Sequence, residues 1–375
     1  MIIYWSALLL TFFLSKILTN EKVKFGKKTI GKGKINHIRV FISFLPLFLV
    51  ALFRWNVGVD VVYGTGYYYH AFLAVQQSAG NIFNYEFGFY LLMKICNFLG
   101  MNLYLFYCLI VTLFFIMFTK FVADNSKNVG LSAIIFVLSD LYLFTFSTLR
   151  QTLGIAFAFY PITLMLKQNN FYKNFKWWIF SILALSMHNT ILYIFLILIL
   201  SKIEFKKKSL IIIVSLGCVL SPFVQIILSK LVSYTSYFEK YFETNMFESS
   251  FTLTYFLIAF MLFIISLLNY EKILGENSED YRLINICAFT TILMANSKIL
   301  IMPYRVFPLF VPFYIILCSK IVDKVDSTKF KYFATYFYLI IPFLFLFINQ
   351  YYIGNGAENF IYKTIFDYES QVWMK

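Results

Sequence analysis

Apolar runs recur along this whole chain, each closed by a short polar or basic stretch, and they constrain its fold more than any other feature. They cover 1–18, 40–53, 102–122, 129–146, 150–166, 177–200, 209–228, 251–268, 283–301, 306–319 and 332–348. A helical crossing of a bilayer needs roughly 20 apolar residues, and its backbone must satisfy its own hydrogen bonds. The expectation is an all-α polytopic membrane protein, a single integral membrane domain over 1–375, with about ten spanning helices. Only 13% of the residues are charged, against about a quarter in a soluble domain. The first run lacks a basic N-terminal region and a small-residue cleavage site, so it reads as a membrane helix and not as a cleaved signal. The short stretch 87–99, which holds Lys94, reads as an interfacial or partly inserted helix.

Lysine placement sets the expected orientation. With the N-terminus outside, 23 of the 32 Lys and Arg residues fall in inner loops, from Lys16 and the cluster Lys22 to Arg39 through to Lys331. Inner loops carry such an excess. The net charge of +14 is therefore assigned to topology, with the lipid bilayer as partner and no nucleic acid. Residues 54–101 become an outer segment with short helices, 229–250 an outer loop and 349–375 an outer tail. The run 177–200 has lysines on both flanks, so a single crossing would invert everything downstream. A broken-helix hairpin, 177–187 and 190–200, turning at Met187-His188-Asn189, removes the conflict; a straight helix of 24 residues is the alternative.

Against 27 lysines stand five arginines, and three of them (Arg54, Arg150 and Arg305) fall at the outer ends of apolar runs. Guanidinium is a planar fork suited to bidentate phosphate contact. Three such groups on one face suggest a site for a phosphate-bearing substrate, although each alone is also explained as a snorkelling side chain. Arg150 starts an apolar helix, where free N–H groups also favour an anion. The stretch Arg54 to Tyr69 (RWNVGVDVVYGTGYYY) joins Asp60 to glycines and to Tyr63, Tyr67, Tyr68 and Tyr69, whose rings can stack on a sugar. Asp60 and Glu86 could hold a hydroxyl or pair with an arginine. His188, at membrane depth, can accept a proton as neutral imidazole, or can serve helix packing. The five cysteines lie in apolar runs without metal-ligand spacing, so neither metal nor cofactor is expected.

At these residues the chain resembles the EpsG family of Wzy-type polysaccharide polymerases. The pieces that carry the resemblance are FRWNVGVDVVY (Phe53 to Tyr63), EFGFYLLMK (Glu86 to Lys94), TLRQTLGIAFAF (Thr148 to Phe159), SMHNT (Ser186 to Thr190) and PYR (Pro303 to Arg305). One departure is Phe87 after Glu86, where proline is expected. The resemblance implies a plan similar to that of multi-helix lipid-dependent glycosyltransferases, O-antigen ligases included. It also implies polymerisation of undecaprenyl-pyrophosphate-linked oligosaccharide units at the outer face of the bacterial cytoplasmic membrane, for capsule or exopolysaccharide. A flippase and a chain-length regulator are the implied partners. On that reading Arg54, Arg150 and Arg305 bind the pyrophosphate, and His188, or else Asp60 or Glu86, takes the acceptor proton. Tyr63, Tyr67, Tyr68, Tyr69, Glu86 and Tyr304 contact the glycan. A glycan ligase would use the same residues. A flippase would carry more charge near the midplane, whereas here charges gather at run ends.

Overall fold

In the computed structural model, which describes residues 1–19, 36–77, 85–224, 226–227, 253–274, 280–297, 303–323, 329–353 and 361–366, the apolar runs fold as helices. The described residues contain no strand, and an isolated antiparallel bridge pairs Arg54 with Thr364. The expected outer loop 229–250 lies outside the described residues.

Asparagine starts several helices. The side chains of Asn36, Asn102, Asn128 and Asn174 accept from the backbone N–H groups of Ile38, Leu105, Leu131 and Lys176. Each thereby satisfies a donor that the first turn leaves open. The helices so begun are α2 (His37–Leu52), α5 (Leu103–Asn125), α6 (Val129–Leu138) and α9 (Phe175–Met187). Helix α1 (Ile2–Leu18) packs on α2, α2 on α5, and α5 on α8 (Leu149–Lys167). Phenylalanine fills the space between them: Phe114, Phe118, Phe136 and Phe159 are all buried, with Phe118 and Phe136 stacked at 4.2 Å. Helices α6 and α7 (Leu141–Ser147) meet at a bend of 52° around Asp140, which takes a left-handed φ of 73°. A short polar side chain tolerates that backbone better than the bulky residues around it.

Among the described residues, four helices are long and apolar enough to cross a membrane: Leu103–Asn125, Leu149–Lys167, Tyr304–Asp323 and Phe333–Tyr352; the bent α6–α7 pair makes a fifth. Seven further apolar helices among the described residues have 10–17 residues, α1, α2 and α9 among them. The expected ten or so crossings are thus met on length by four or five.

The run 177–200 is broken, as the hairpin expectation has it and the straight-helix alternative does not. Helix α9 ends at Met187, His188 is extended, and α10 (Ile191–Leu200) begins three residues later. The chain then comes back. Trp177 meets Phe195 at 6.1 Å, and Lys202 Nζ lies 3.8 Å from the Phe171 ring and 3.5 Å from the Asn169 carbonyl oxygen. Both ends of the pair therefore lie on one side of the bundle, with His188 at the far tip.

That arrangement divides the bundle into two ends. Helix α8 carries Arg150 at its start and Lys167 at its finish, roughly 25 Å apart by helical rise. Around Lys167 gather ion pairs and capping contacts: His37 Nε2 to Asp124 at 2.9 Å, Lys167 to the Asp124 carbonyl at 2.6 Å, Lys127 to Asp323, and Lys320 to Asp280. Arg282, buried, donates to the last carbonyls of α8 at Met165 and Leu166. The second group of charges lies at the Arg150 end.

Candidate active site

Two glycines bring that second group together. A Cβ on Gly88 would stand 2.2 Å from Ser186 Oγ and 2.8 Å from Ser186 Cβ, so α4 (Phe87–Phe98) lies on α9 as closely as backbones allow. A Cβ on Gly154 would stand 2.8 Å from Ile191 Cγ1, which seats the start of α10 on α8 one turn past Arg150. Without those side chains the hairpin tip reaches both helix starts. Glu86 precedes α4, Arg150 lies in the first turn of α8, and His188 is at the tip.

Their side chains meet. Arg150 Nη1 donates to Glu86 Oε2 at 2.6 Å, and the other carboxylate oxygen, Oε1, lies 3.2 Å from His188 Nδ1. Arg305 Nη2 is 3.7 Å from Asp60 Oδ2, and charges on Arg305 and Arg150 both act on Asp60 and on His188. Asp60 lies in a one-turn 3₁₀ helix, Val59–Val61, and Arg305 in the short helix Pro303–Val306. Burial pushes the Asp60 carboxyl above its ordinary range, against the pull of the Arg305 and Arg150 guanidinium groups. The five side chains are only 12–30% exposed, partly withdrawn from water, which strengthens charge contacts between them.

Neighbouring groups hold these side chains. Tyr68, in α3 (Tyr67–Gln76), is buried, with its hydroxyl oxygen 3.3 Å from the Arg150 backbone N–H and its ring edge-on to Phe89. The Arg150 guanidinium lies 5.2 Å from the Tyr67 ring, a cation–π contact. Gln151 Nε2 donates to the Arg305 carbonyl at 2.6 Å and so ties the Pro303–Val306 turn to α8. Arg150 Nε, Arg305 Nε and Thr190 Oγ1 have no protein partner.

Sequence-derived candidates thus divide. Asp60, Tyr67, Tyr68, Glu86, Arg150, His188 and Arg305 come together, with the exposed Tyr304 ring beside Arg305. Tyr68 is turned inward, so its ring has no free face for a sugar. Tyr63 and Tyr69 contact each other at 4.6 Å, and Tyr63 stacks on Trp55 at 5.9 Å. Arg54 does not join the cluster. It is buried at 5% exposure, donates to the carbonyls of Ala51 (2.9 Å) and Phe146 (3.5 Å), and lies 4.3 Å from the Phe146 ring. Backbone bonds from Trp55 to Lys363 and from Ile365 to Phe53 pair this stretch with the C-terminal segment. The end of α2 and the C-terminal segment claim this cation for packing. Gly88, Ser186, Gly154 and Gln151 were not singled out from the sequence as site residues; the cue for Gln151 was its polarity in an apolar run. Among the described residues no group of His, Cys, Asp and Glu has the arrangement of a metal site.

A family model, that of the EpsG family, matches residues 37–370. Neither the curated proteins nor the solved structures contain a significant match.

Proposed function

The chain belongs to the EpsG family, a family of Wzy-type polysaccharide polymerases, and on that premise we propose that it joins undecaprenyl-pyrophosphate-linked oligosaccharide units at the outer face of the bacterial cytoplasmic membrane. The observation that carries this reading is the Arg150–Glu86–His188 contact with Arg305 and Asp60 beside it. It offers two guanidinium forks for a pyrophosphate and an imidazole for a hydroxyl proton. Arg150 and Arg305 would neutralise charge that builds on the departing pyrophosphate oxygen, the electrostatic stabilisation that dominates many transfer reactions. His188 would take the proton of the acceptor hydroxyl. Tyr67 and Tyr304 present exposed rings to the sugars.

Sidedness rests on the division of the bundle. Inner loops are lysine-rich, and the charges around Lys167 are a helix length from Arg150, which supports an outward-facing cluster with the N-terminus outside. About ten crossings follow if the shorter apolar helices, shielded by neighbours, also traverse the bilayer. Product analysis in a strain lacking the gene tests the reaction. Single lipid-linked units should accumulate on the outer leaflet and long polymer should vanish; accumulation on the inner leaflet would instead mean a flippase.

A further inference from the structure

The cluster contains its own counterions: Arg150 and Arg305 face Glu86 and Asp60. A pyrophosphate arriving at Arg150 therefore meets a cation already engaged, at 2.6 Å, by Glu86. The same carboxylate touches His188 Nδ1. That nitrogen has a second neighbour, the Thr190 backbone N–H at 3.4 Å, and it can serve only one of the two at a time. As an acceptor it takes the Thr190 N–H. As an N–H it donates to Glu86, leaving the Nε2 lone pair for a substrate proton.

We propose that Glu86 is an exchangeable counterion: the donor pyrophosphate takes Arg150 from it, and the freed carboxylate turns to His188 and makes that imidazole a stronger base only when the donor is seated. The inference rests on the polymerase reading and adds a control to the same site. Among the described residues, the charged groups that face His188 are Glu86 from before α4, Arg150 from α8 and Arg305 from Pro303–Val306. In the resting cluster both cations oppose a proton on the imidazole, and Glu86 is shared. With pyrophosphate seated, its negative charge offsets both cations and Glu86 has one partner left. The acceptor O–H proton then passes to Nε2 as oxygen bonds the anomeric carbon. The carbon–oxygen bond to pyrophosphate breaks, and its electron pair leaves on the group held by Arg150 and Arg305. Imidazolium and carboxylate balance, so no further reactant is needed. Water or acceptor that arrives before the donor finds a weak base, which limits wasteful hydrolysis.

The test is calorimetric titration of the full chain, in lipid nanodiscs, with inorganic pyrophosphate. Glu86→Gln should bind it about tenfold more tightly than the wild type, because no carboxylate competes for Arg150, and should make no long polymer. Wild-type binding at about pH 6 should take up protons, read as a buffer-dependent heat, and His188→Asn should bind without that uptake. Equal or weaker binding by Glu86→Gln, or wild-type binding without proton uptake, overturns the exchange. If Glu86→Gln does not fold, the wild-type uptake alone decides. Arg150→Ala separates the two levels. Unchanged binding there removes the anion site and the polymerase chemistry with it; lost binding there, with no tightening in Glu86→Gln, removes the exchange alone.

Discussion

Glu86 Oε1 lies 3.2 Å from His188 Nδ1, although one residue precedes a helix and the other follows a different one, 102 positions on. The contact depends on how closely α4 and α9 approach, and Gly88 against Ser186 sets that approach. Gly88→Ala should therefore push the helices apart, costing about 1–3 kcal/mol of stability as overpacking does, and should lower polymer length. Removing the obstacle with Ser186→Gly in the same chain should recover much of both. Thermal midpoints and polymer ladders of the single and double variants check this; a double variant no better than Gly88→Ala would separate the glycine from the Glu86–His188 contact.

Arg150 supplies a fork and not merely a charge. Arg150→Lys keeps the cation but loses the paired donors, so it should lie much nearer Arg150→Ala than the wild type. Removing one such donor group costs about a hundredfold or more in turnover. The rate of polymer formation, at matched protein level in membranes, is the measurement, and near-normal turnover in Arg150→Lys would show that point charge suffices.

His188→Asn retains a polar side chain of similar reach but cannot accept a proton. Turnover should fall by about 10²–10⁴, the usual contribution of a positioned base, while pyrophosphate affinity stays close to that of the wild type. A parallel loss of binding and turnover would instead give the imidazole a role in holding the anion.

Arg54 should behave differently from Arg150. Its donors go to the Ala51 and Phe146 carbonyls within a packed aromatic setting. Arg54→Met should lower the thermal midpoint by an amount equivalent to about 1–3 kcal/mol, the cost of buried carbonyls left unpaired. The folded fraction should bind pyrophosphate as the wild type does. Loss of that affinity without loss of stability would return Arg54 to the anion site.

Much of the helical plan was legible in the linear chain, because hydropathy and helix starts are properties of short stretches. The break at His188 belongs in part to this class: lysines on both flanks of 177–200 favour a return with a turn in the middle, while a straight helix of 24 residues is excluded only by the structure. Arg54 and Arg150 look alike at that level, since each is an arginine at the outer end of an apolar run. Where a side chain ends up is set instead by helix rotation and by how near two backbones come. Those follow from Gly88 meeting Ser186, Gly154 meeting Ile191 and the C-terminal segment pairing with Arg54, contacts between residues far apart in sequence. Hydropathy and lysine placement were enough for an all-helical membrane bundle and pointed to a broken hairpin. Long-range packing alone selected which arginines lie beside His188 and joined Glu86 to both partners, because no local pattern encodes a distance between helices.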